Sequence, residues 1–179
     1  MPTPETTTET TTETTTETTT ETTTELRRRI EQVADPELPV VTIADLGILR
    51  EVSEHDGVLE VTITPTYAGC PAMDAIRADI ARAVSPHPVV VRTVLAPAWS
   101  TDDITETGRR RLAEHGVAPP AAVRGGPVDL VLGRGPSVPR CPQCGSDATR
   151  EASPFSSTAC KALYVCTSCR EPFDYFKPL

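Results

Sequence analysis

The chain has 179 residues, 38% of them hydrophobic, and its 17 basic and 25 acidic side chains give a formal net charge of -8. Six of the acids are glutamates within the first 25 residues, which contain no Lys or Arg, so the remainder carries 19 acids against 17 bases. No apolar run approaches the roughly 18 residues that a bilayer crossing requires, and the N-terminus lacks the basic start and hydrophobic stretch of a secretory signal. The remaining residues, about 150, can bury one ordinary core with at most a small stapled unit beside it. Because we find neither a membrane-crossing run nor a secretory signal, we expect a cytoplasmic protein without a membrane anchor.

The segment from Glu5 to Glu25 repeats Glu-Thr-Thr-Thr with a four-residue period. In a helix this period would stack like charges at i, i+4, and β-branched threonine is a poor helix former. Nothing in the repeat can be buried, so we expect residues 1–25 to form a disordered tail. The tail is either an acidic interaction or solubility segment or a neutral low-complexity extension, and its composition favours the second interpretation.

From residue 26 the hydrophobic pattern changes to that of a folded domain. Apolar residues at helical spacing predict helices, while β-branched runs predict a hairpin around Asp56-Gly57 and a third, central strand. The predicted elements are a helix at 26–33, strands at 48–52 and 58–64, a helix at 73–84, a strand at 89–95 and a helix at 102–115 ended by Gly116. Their order predicts a small α+β layer domain at 26–119.

Residues 120–139 are rich in proline and glycine and are predicted to be a linker, within which Val128 to Leu132 could form a short strand. Residues 140–179 then hold two Cys-x-x-Cys pairs, which are Cys141 with Cys144 and Cys166 with Cys169. Two such turns supply the four tetrahedral sulfurs that a structural zinc prefers. A redox-active Cys-x-x-Cys is the competing interpretation, and the presence of two paired motifs favours zinc. We therefore predict a C-terminal four-cysteine zinc ribbon.

The ribbon segment also contains Cys160, which could be a buried structural residue, an extra metal ligand or an exposed reactive thiol. Its sequence neighbours do not decide between these interpretations. Between Arg140 and Leu179 there are five bases and four acids, so the segment has no basic patch. We expect the ribbon to be a docking or structural module that does not bind nucleic acid.

Cys70 lies apart from the ribbon, in Gly69-Cys70-Pro71 just before the second predicted helix. Pro71 suits the first position of that helix, which puts the thiol at or near the N-cap, where free N–H groups and the helix dipole favour a low-pKa thiolate. Such a thiol suits metal or persulfide capture as well as nucleophilic attack, whereas the alternative is a small buried residue that merely begins a helix. The local sequence leaves both interpretations open. It favours a turn role for Asp45 and a packing role for Trp99.

Several segments together resemble the iron-sulfur assembly domain family, which is found in bacterial sulfur-mobilisation proteins and in the eukaryotic cytosolic cluster-targeting complex. They are Asp35 to Val40, Asp45 to Ile48, Thr64 to Pro71 and Pro97 to Asp102. The C-terminal segment resembles the D subunits, also called J, of bacterial phenylacetyl-CoA oxygenase (epoxidase) systems. That second resemblance lies in Ser157 to Tyr164, Cys166, Cys169 and Glu171 to Lys177.

The resemblance implies an accessory component of aerobic phenylacetate degradation. Such a component would not perform the oxygenation, because other subunits hold the di-iron centre and a flavin and iron-sulfur reductase supplies electrons. The family's domain implies help in assembling iron or iron-sulfur cofactors, with Cys70 as the reactive residue and Asp45, Thr66 and Trp99 around it. The implied cofactors are a structural zinc and a transient iron or iron-sulfur cluster. The implied partners are oxygenase subunits or the iron-sulfur assembly machinery, and the alternatives are a general cluster carrier and a structural or electron-transfer subunit.

Overall fold

The computed structural model describes residues 22–120 and 138–178 of the chain. Residues 1–21 of the predicted tail and residues 121–137 of the predicted linker, including the short strand suggested for 128–132, lie outside the described residues. Within the described residues the first elements follow the predicted order of helix, hairpin, helix, strand and helix. None of the helices there has the length and apolar character that crossing a membrane would require.

The first helix, α1 (Thr23–Glu31), begins inside the last unit of the glutamate-threonine repeat. Thr22 caps it, because its side-chain oxygen accepts a hydrogen bond from the backbone N–H of Glu25. Leu26 and Ile30 are buried and hold the helix against the rest of the domain. The tail boundary predicted after residue 25 is therefore too late, because threonine disfavours helix interiors but is a good N-cap.

Three strands form the first sheet. β1 (Leu49–His55) and β2 (Val58–Ile63) make the predicted antiparallel hairpin. Asp56 and Gly57 connect them with φ of 51° and 75°, the left-handed conformation of a two-residue type I′ turn. β3 (Val89–Thr93) pairs parallel with β2, so the order across the sheet is β1, β2, β3.

Among the residues that the structure describes, β3 pairs only with β2 and lies at the edge of this sheet, not at the central position predicted for the strand at 89–95. In sequence its three valines resemble a buried run. In the structure Val89 and Val91 pack against the core, whereas Val90 faces outward and is 44% exposed. A three-stranded sheet has one central position, and β2 takes it because it pairs both with its hairpin partner and with β3.

The second helix, α2 (Met73–Val84), contacts α1 and β3, and both helices share one hydrophobic core with the sheet. Burial of each Val, Leu or Ile side chain contributes about 1.5–3 kcal/mol relative to exposure. The fully buried members of this core include Leu26, Ile30, Leu59, Val61, Ile63, Ile76, Ile80 and Val84. This core supports the loop that joins β2 to α2, which carries Cys70.

The C-terminal part is a four-stranded sheet with the order β4, β7, β6, β5. Its strands are β4 (Val117–Ala118), β5 (Thr149–Ser153), β6 (Lys161–Cys166) and β7 (Pro172–Phe176). β4 comes from the first domain, because it follows the third helix, α3 (Glu106–Glu114), directly after Gly116. It pairs parallel with β7, so the boundary predicted at 119 separates two strands of one sheet.

The ribbon also completes the core of the first domain. Phe176, which ends β7, is 1% exposed, and its ring centroid lies 5.9 Å from that of Trp99. Trp99 in turn donates its indole N–H to the carbonyl oxygen of Leu46 at 2.8 Å. Cys160 belongs to the same core cluster. The predicted fold class, a small α+β domain followed by a zinc ribbon, is confirmed, and the two parts pack as one body across this junction.

Gly47 is expected to tolerate replacement poorly, because two separate constraints act on it. Its φ is 69°, and a Cβ built there would lie 2.5 Å from the carbonyl oxygen of Asp103. We expect Gly47→Ala to lower the free energy of unfolding by about 2–5 kcal/mol, since left-handed strain costs about 1–2 kcal/mol and overpacking costs a further ~1–3 kcal/mol. Gly57→Ala is the matched control, because Gly57 has φ of 75° with nothing within 4 Å of the built Cβ. Equal losses in urea denaturation would contradict the steric part of this expectation.

Candidate metal centre and thiol site

Four cysteines of the ribbon converge from two turns. Cys141 and Cys144 precede β5, Cys166 ends β6, and Cys169 lies in the turn before β7. Their Sγ atoms all lie within 4.8 Å of one another, with 3.7 Å between Cys141 and Cys169 and 3.6 Å between Cys144 and Cys166. Four thiolates at about 2.3 Å from a tetrahedral ion would be about 3.8 Å apart. The four residues therefore form a group with the dimensions of a four-thiolate metal site.

Backbone hydrogen bonds favour the ionised form of Cys166. At Cys169 the backbone N–H of Glu171 also lowers the pKa, but burial and the neighbouring sulfurs raise it to about 12. The N–H of Cys169 points at the Sγ of Cys166 at 3.5 Å. This hydrogen bond is the largest influence on Cys166 and holds its pKa at about 6, well below the ordinary thiol value. Metal binding requires thiolates, so a thiol that ionises near neutral pH suits a cation site. Because both Cys-x-x-Cys turns meet at one point, a shared ion explains them better than two separate redox pairs.

Cys160 does not join this group. Among the described residues the group consists of Cys141, Cys144, Cys166 and Cys169, so nothing in the structure supports an extra ribbon ligand at Cys160. It is 5% exposed, and the Thr158 hydroxyl lies 3.1 Å from its Sγ. It packs into the core of the first domain. This position agrees with the interpretation of Cys160 as a buried structural residue.

Cys70 lies in the loop between β2 and α2 and is partly buried. Its backbone N–H donates to the carbonyl oxygen of Tyr67 at 3.1 Å. The N-cap of α2 is Ala72, so Cys70 lies two residues before the cap and not on it. The N–H of Ala72 still hydrogen-bonds the thiol and lowers its pKa, but burial raises it more. The expectation of a low-pKa thiolate is therefore wrong, because desolvation outweighs the helix start.

Acidic groups close to Cys70 add to this effect. Glu37 and Asp35 both raise the pKa of Cys70, and so does Cys160. Asp35 is buried, and its carboxylate accepts backbone hydrogen bonds from Glu37 at 2.9 Å and Leu38 at 2.8 Å. In the sequence this acidic pair stands out only as part of the Asp35 to Val40 family motif. The two acids flank a proline, and this pattern could have marked them as candidate site residues. Their approach to Cys70, however, depends on how the loop folds back.

The other three predicted neighbours of Cys70 are all buried, and contacts elsewhere in the fold explain the burial of Asp45 and Trp99. Asp45 pairs with Arg111 of α3 and accepts the backbone N–H of Thr42 at 3.1 Å. Trp99 joins the first domain to the ribbon, as described above, and Thr66 is buried. Asp45 therefore braces the loop before β1 against α3. A role of Asp45, Thr66 or Trp99 beside the reactive thiol stays a prediction.

We expect Cys70 to react slowly with iodoacetamide at neutral pH. Its pKa is raised by burial and then by Glu37 and Asp35, so little thiolate is present at pH 7. The rate should lie below that of a free-cysteine peptide at pH 7 and climb as the pH rises past the ordinary thiol pKa. Glu37→Gln should speed the reaction at pH 7, whereas Glu51→Gln, on the exposed side of β1, should not. Mass spectrometry of the Cys70 peptide measures this, and a rate above that of the free peptide would contradict it.

Both parts of the chain match known protein families. Residues 23–95 match the family of iron-sulfur cluster assembly proteins, and residues 126–177 match the PaaD zinc beta ribbon domain. An Escherichia coli K12 protein assigned as the D subunit of 1,2-phenylacetyl-CoA epoxidase is 47% identical over 151 residues, which cover 83% of this chain and 88% of that protein.

The first domain has further relatives. The Fe-S protein maturation auxiliary factor YitW of Bacillus subtilis is 36% identical over 81 residues, which cover 42% of this chain and 78% of that protein. A Bacillus anthracis crystal structure of a DUF59 domain of unknown function aligns at 28% identity with a TM-score of 0.46, over 50% of this chain and 89% of that chain. Since the E. coli relative aligns along most of both sequences, and since the two domain matches occur in order, the chain belongs to the PaaD family of phenylacetyl-CoA epoxidase D subunits, with an iron-sulfur cluster assembly domain before its zinc ribbon.

Proposed function

We propose that this protein is an accessory component of a phenylacetyl-CoA 1,2-epoxidase in aerobic phenylacetate catabolism. In this role it assists the assembly of an iron or iron-sulfur cofactor through Cys70 and performs no ring oxygenation itself. The observation that carries the proposal is a partly buried thiol within electrostatic range of two carboxylates, in the segment that matches iron-sulfur cluster assembly proteins. A thiol and carboxylates are ligands that iron accepts.

The four-cysteine group would hold a structural zinc. Four thiolates leave no open coordination position, which is the arrangement of a structural ion. The ribbon's own hydrophobic cluster is small and contains two of these cysteines, Cys141 and Cys166. Zinc would therefore hold together a unit that docks the protein to oxygenase subunits or to the iron-sulfur assembly machinery. Because every cysteine in the described residues is a free thiol and the metal site needs thiolates, the reduced cytosol is the compartment that suits this chemistry.

Co-expression of the oxygenase subunits with either wild-type protein or Cys70→Ser tests this proposal. We expect the oxygenase purified from the variant strain to lose most of its iron and most of its phenylacetyl-CoA-dependent oxygen consumption. Ala68→Ser is the matched control, because Ala68 is exposed in the same loop and carries no metal-binding group. Full iron content and activity with Cys70→Ser would refute a role for Cys70 in maturation.

A general carrier of iron-sulfur clusters is the second candidate, and the similarity of the first domain to maturation auxiliary factors supports it. The same strains separate the two functions. A dedicated factor would leave the activity of an unrelated iron-sulfur enzyme such as aconitase unchanged in the Cys70→Ser strain. A general carrier would lower that activity together with the oxygenase.

A further inference from the structure

Two of the six cysteines in the sequence, Cys70 and Cys160, lie outside the four-cysteine group. They are 90 residues apart and belong to different domains, Cys70 to the loop before α2 and Cys160 to the residue before β6. In the folded chain Cys160 is a member of the core cluster of the first domain, and Cys70 packs against that same cluster. The ribbon thus delivers a second thiol to the domain that carries the first.

The ribbon holds Cys160 firmly in this place. Its carbonyl oxygen accepts the backbone N–H of Lys177 at 2.9 Å, which links the start of β6 to the residue after β7. The backbone N–H of Lys161 donates to the carbonyl oxygen of Thr158 at 3.2 Å, so the turn before Cys160 is closed. Phe176, next to Lys177, fixes the same edge of the ribbon beneath Trp99. A residue positioned by main-chain bonds on both strands is suited to act as a ligand in a defined place.

The charged groups around the two thiols are shared. The negative charges of Asp35 and Glu37 each help to raise the pKa of both Cys70 and Cys160, and the charge of Cys160 helps to raise the pKa of Cys70. The pKa of the Tyr67 phenol is raised by burial and then by the charges of Cys70, Glu37 and Cys160. These groups from three segments of the chain therefore lie within electrostatic range of one another. Two carboxylates beside two thiols make a negative field once the thiols ionise, and such a field favours a cation.

One cation of the protein already lies near this cluster. The positive charge of Lys161 offsets part of the rise in pKa at Asp35, Glu37 and Cys160. Its ammonium is buried, however, and is paired with Asp174 at 3.0 Å. Its charge is therefore largely balanced within the ribbon. The two acids of the 35–37 loop have no such cationic partner among the ion pairs of the described residues.

We propose that Cys70 and Cys160 form a two-thiolate site at the junction of the two domains, which takes up one thiophilic divalent ion of the iron(II) class. The proposal rests on the proposed function of Cys70 and adds to it a second ligand and the domain that supplies it. Binding forms two sulfur-metal bonds and releases the two thiol protons to solvent, with no change of oxidation state. Two protein ligands leave coordination positions open, so this site can pass its ion to a client, whereas the closed four-thiolate site cannot.

Cobalt(II) is the probe for this site, because its thiolate complexes absorb visibly and in the near ultraviolet. Full-length protein that carries one equivalent of zinc is titrated with cobalt(II) chloride without oxygen. We expect the wild type to bind one cobalt with a sulfur-to-cobalt charge-transfer band. Cys70→Ser and Cys160→Ser should each lose that band while retaining one zinc. The matched control is Ser157→Ala, an exposed residue in the same turn as Cys160, which should keep the band.

A second measurement on the unaltered protein guards against misfolding of the variants. Dibromobimane bridges two thiols that approach one another, and digestion with mass spectrometry identifies the bridged peptides. We expect a bridge between Cys70 and Cys160 in the zinc-loaded wild type. Absence of that bridge, or a normal cobalt band in Cys160→Ser, would overturn the two-thiolate site.

The oxygenase co-expression assay separates this inference from the function on which it rests. If Cys70→Ser abolishes metallation of the oxygenase and Cys160→Ser does not, Cys70 acts alone and the two-thiolate site is refuted. If both variants abolish it, both proposals stand. If neither does, the proposed function fails, and the cobalt and bimane results decide the site by themselves.

Discussion

Removal of the zinc that we propose for the four-cysteine group is expected to unfold the ribbon and to weaken the first domain as well. The ribbon's own cluster contains Ala118, Cys141, Cys166, Phe173 and Tyr175, which is too little apolar surface to fold a unit of this size. Structural zinc in small finger peptides contributes about 10–16 kcal/mol of apparent binding free energy at neutral pH, so its loss exceeds what that cluster can offset. Hydrogen exchange before and after chelation measures the outcome, and we expect loss of protection throughout β5, β6 and β7.

The first domain should respond because it shares its core with the ribbon. Phe176 and Cys160 leave that core when the ribbon unfolds, so the melting temperature of the 22–120 part should fall too. Cys166→Ser should reproduce the effect of chelation, whereas Cys70→Ser, which lies outside the four-cysteine group, should retain one zinc and the ribbon's protection. Unchanged exchange in β5 to β7 after complete removal of zinc would contradict a structural role for the ion.

Phe176→Ala is expected to lower the free energy of unfolding by about 3–5 kcal/mol, the range for truncation of a buried aromatic residue. The side chain is 1% exposed and contacts Trp99 across the junction between the domains, so its removal leaves a cavity and also loosens the docking of the ribbon. Urea denaturation followed by tryptophan fluorescence measures the change directly, because Trp99 is the single tryptophan of the chain.

Phe155→Ala provides the matched control for this change. Phe155 is on the same ribbon and has the same side chain, but it is 61% exposed and contacts the ammonium of Lys177, at 4.4 Å from the ring centroid. We expect its loss to cost about 0.5–1 kcal/mol, as for an exposed cation-π contact. Similar costs for the two substitutions would show that the ribbon does not depend on its junction with the first domain.

The burial of Cys70 changes the chemistry expected of it. A thiol at a helix N-terminus would attack electrophiles as a thiolate at neutral pH. Cys70 instead lies before the cap, where burial and the carboxylates of Asp35 and Glu37 raise its pKa. A cation that binds this thiol must displace its proton. Metal uptake therefore suits this residue better than nucleophilic catalysis.

Features encoded within short stretches of sequence were predictable. The order of helices and strands follows from the spacing of apolar residues, and the hairpin turn follows from Asp56-Gly57, because these signals lie within one element or one turn. The approach of the two Cys-x-x-Cys turns was predictable for the same reason, since the preferred geometry of a four-thiolate ion constrains both. The α+β class and the C-terminal ribbon were therefore available from the sequence alone.

Pairings between distant segments were decided only by the tertiary structure. A two-residue strand such as β4 has no recognisable pattern, so its pairing with β7 across the linker could not be predicted. The placement of Cys160 in the core of the first domain depends on how the ribbon docks, because its sequence neighbours are compatible with burial or exposure. The sign of the pKa shift at Cys70 likewise could not be predicted correctly from the local sequence. The local sequence shows the helix that would lower the pKa, but the burial and the distant charges that raise it exist only once the chain has folded.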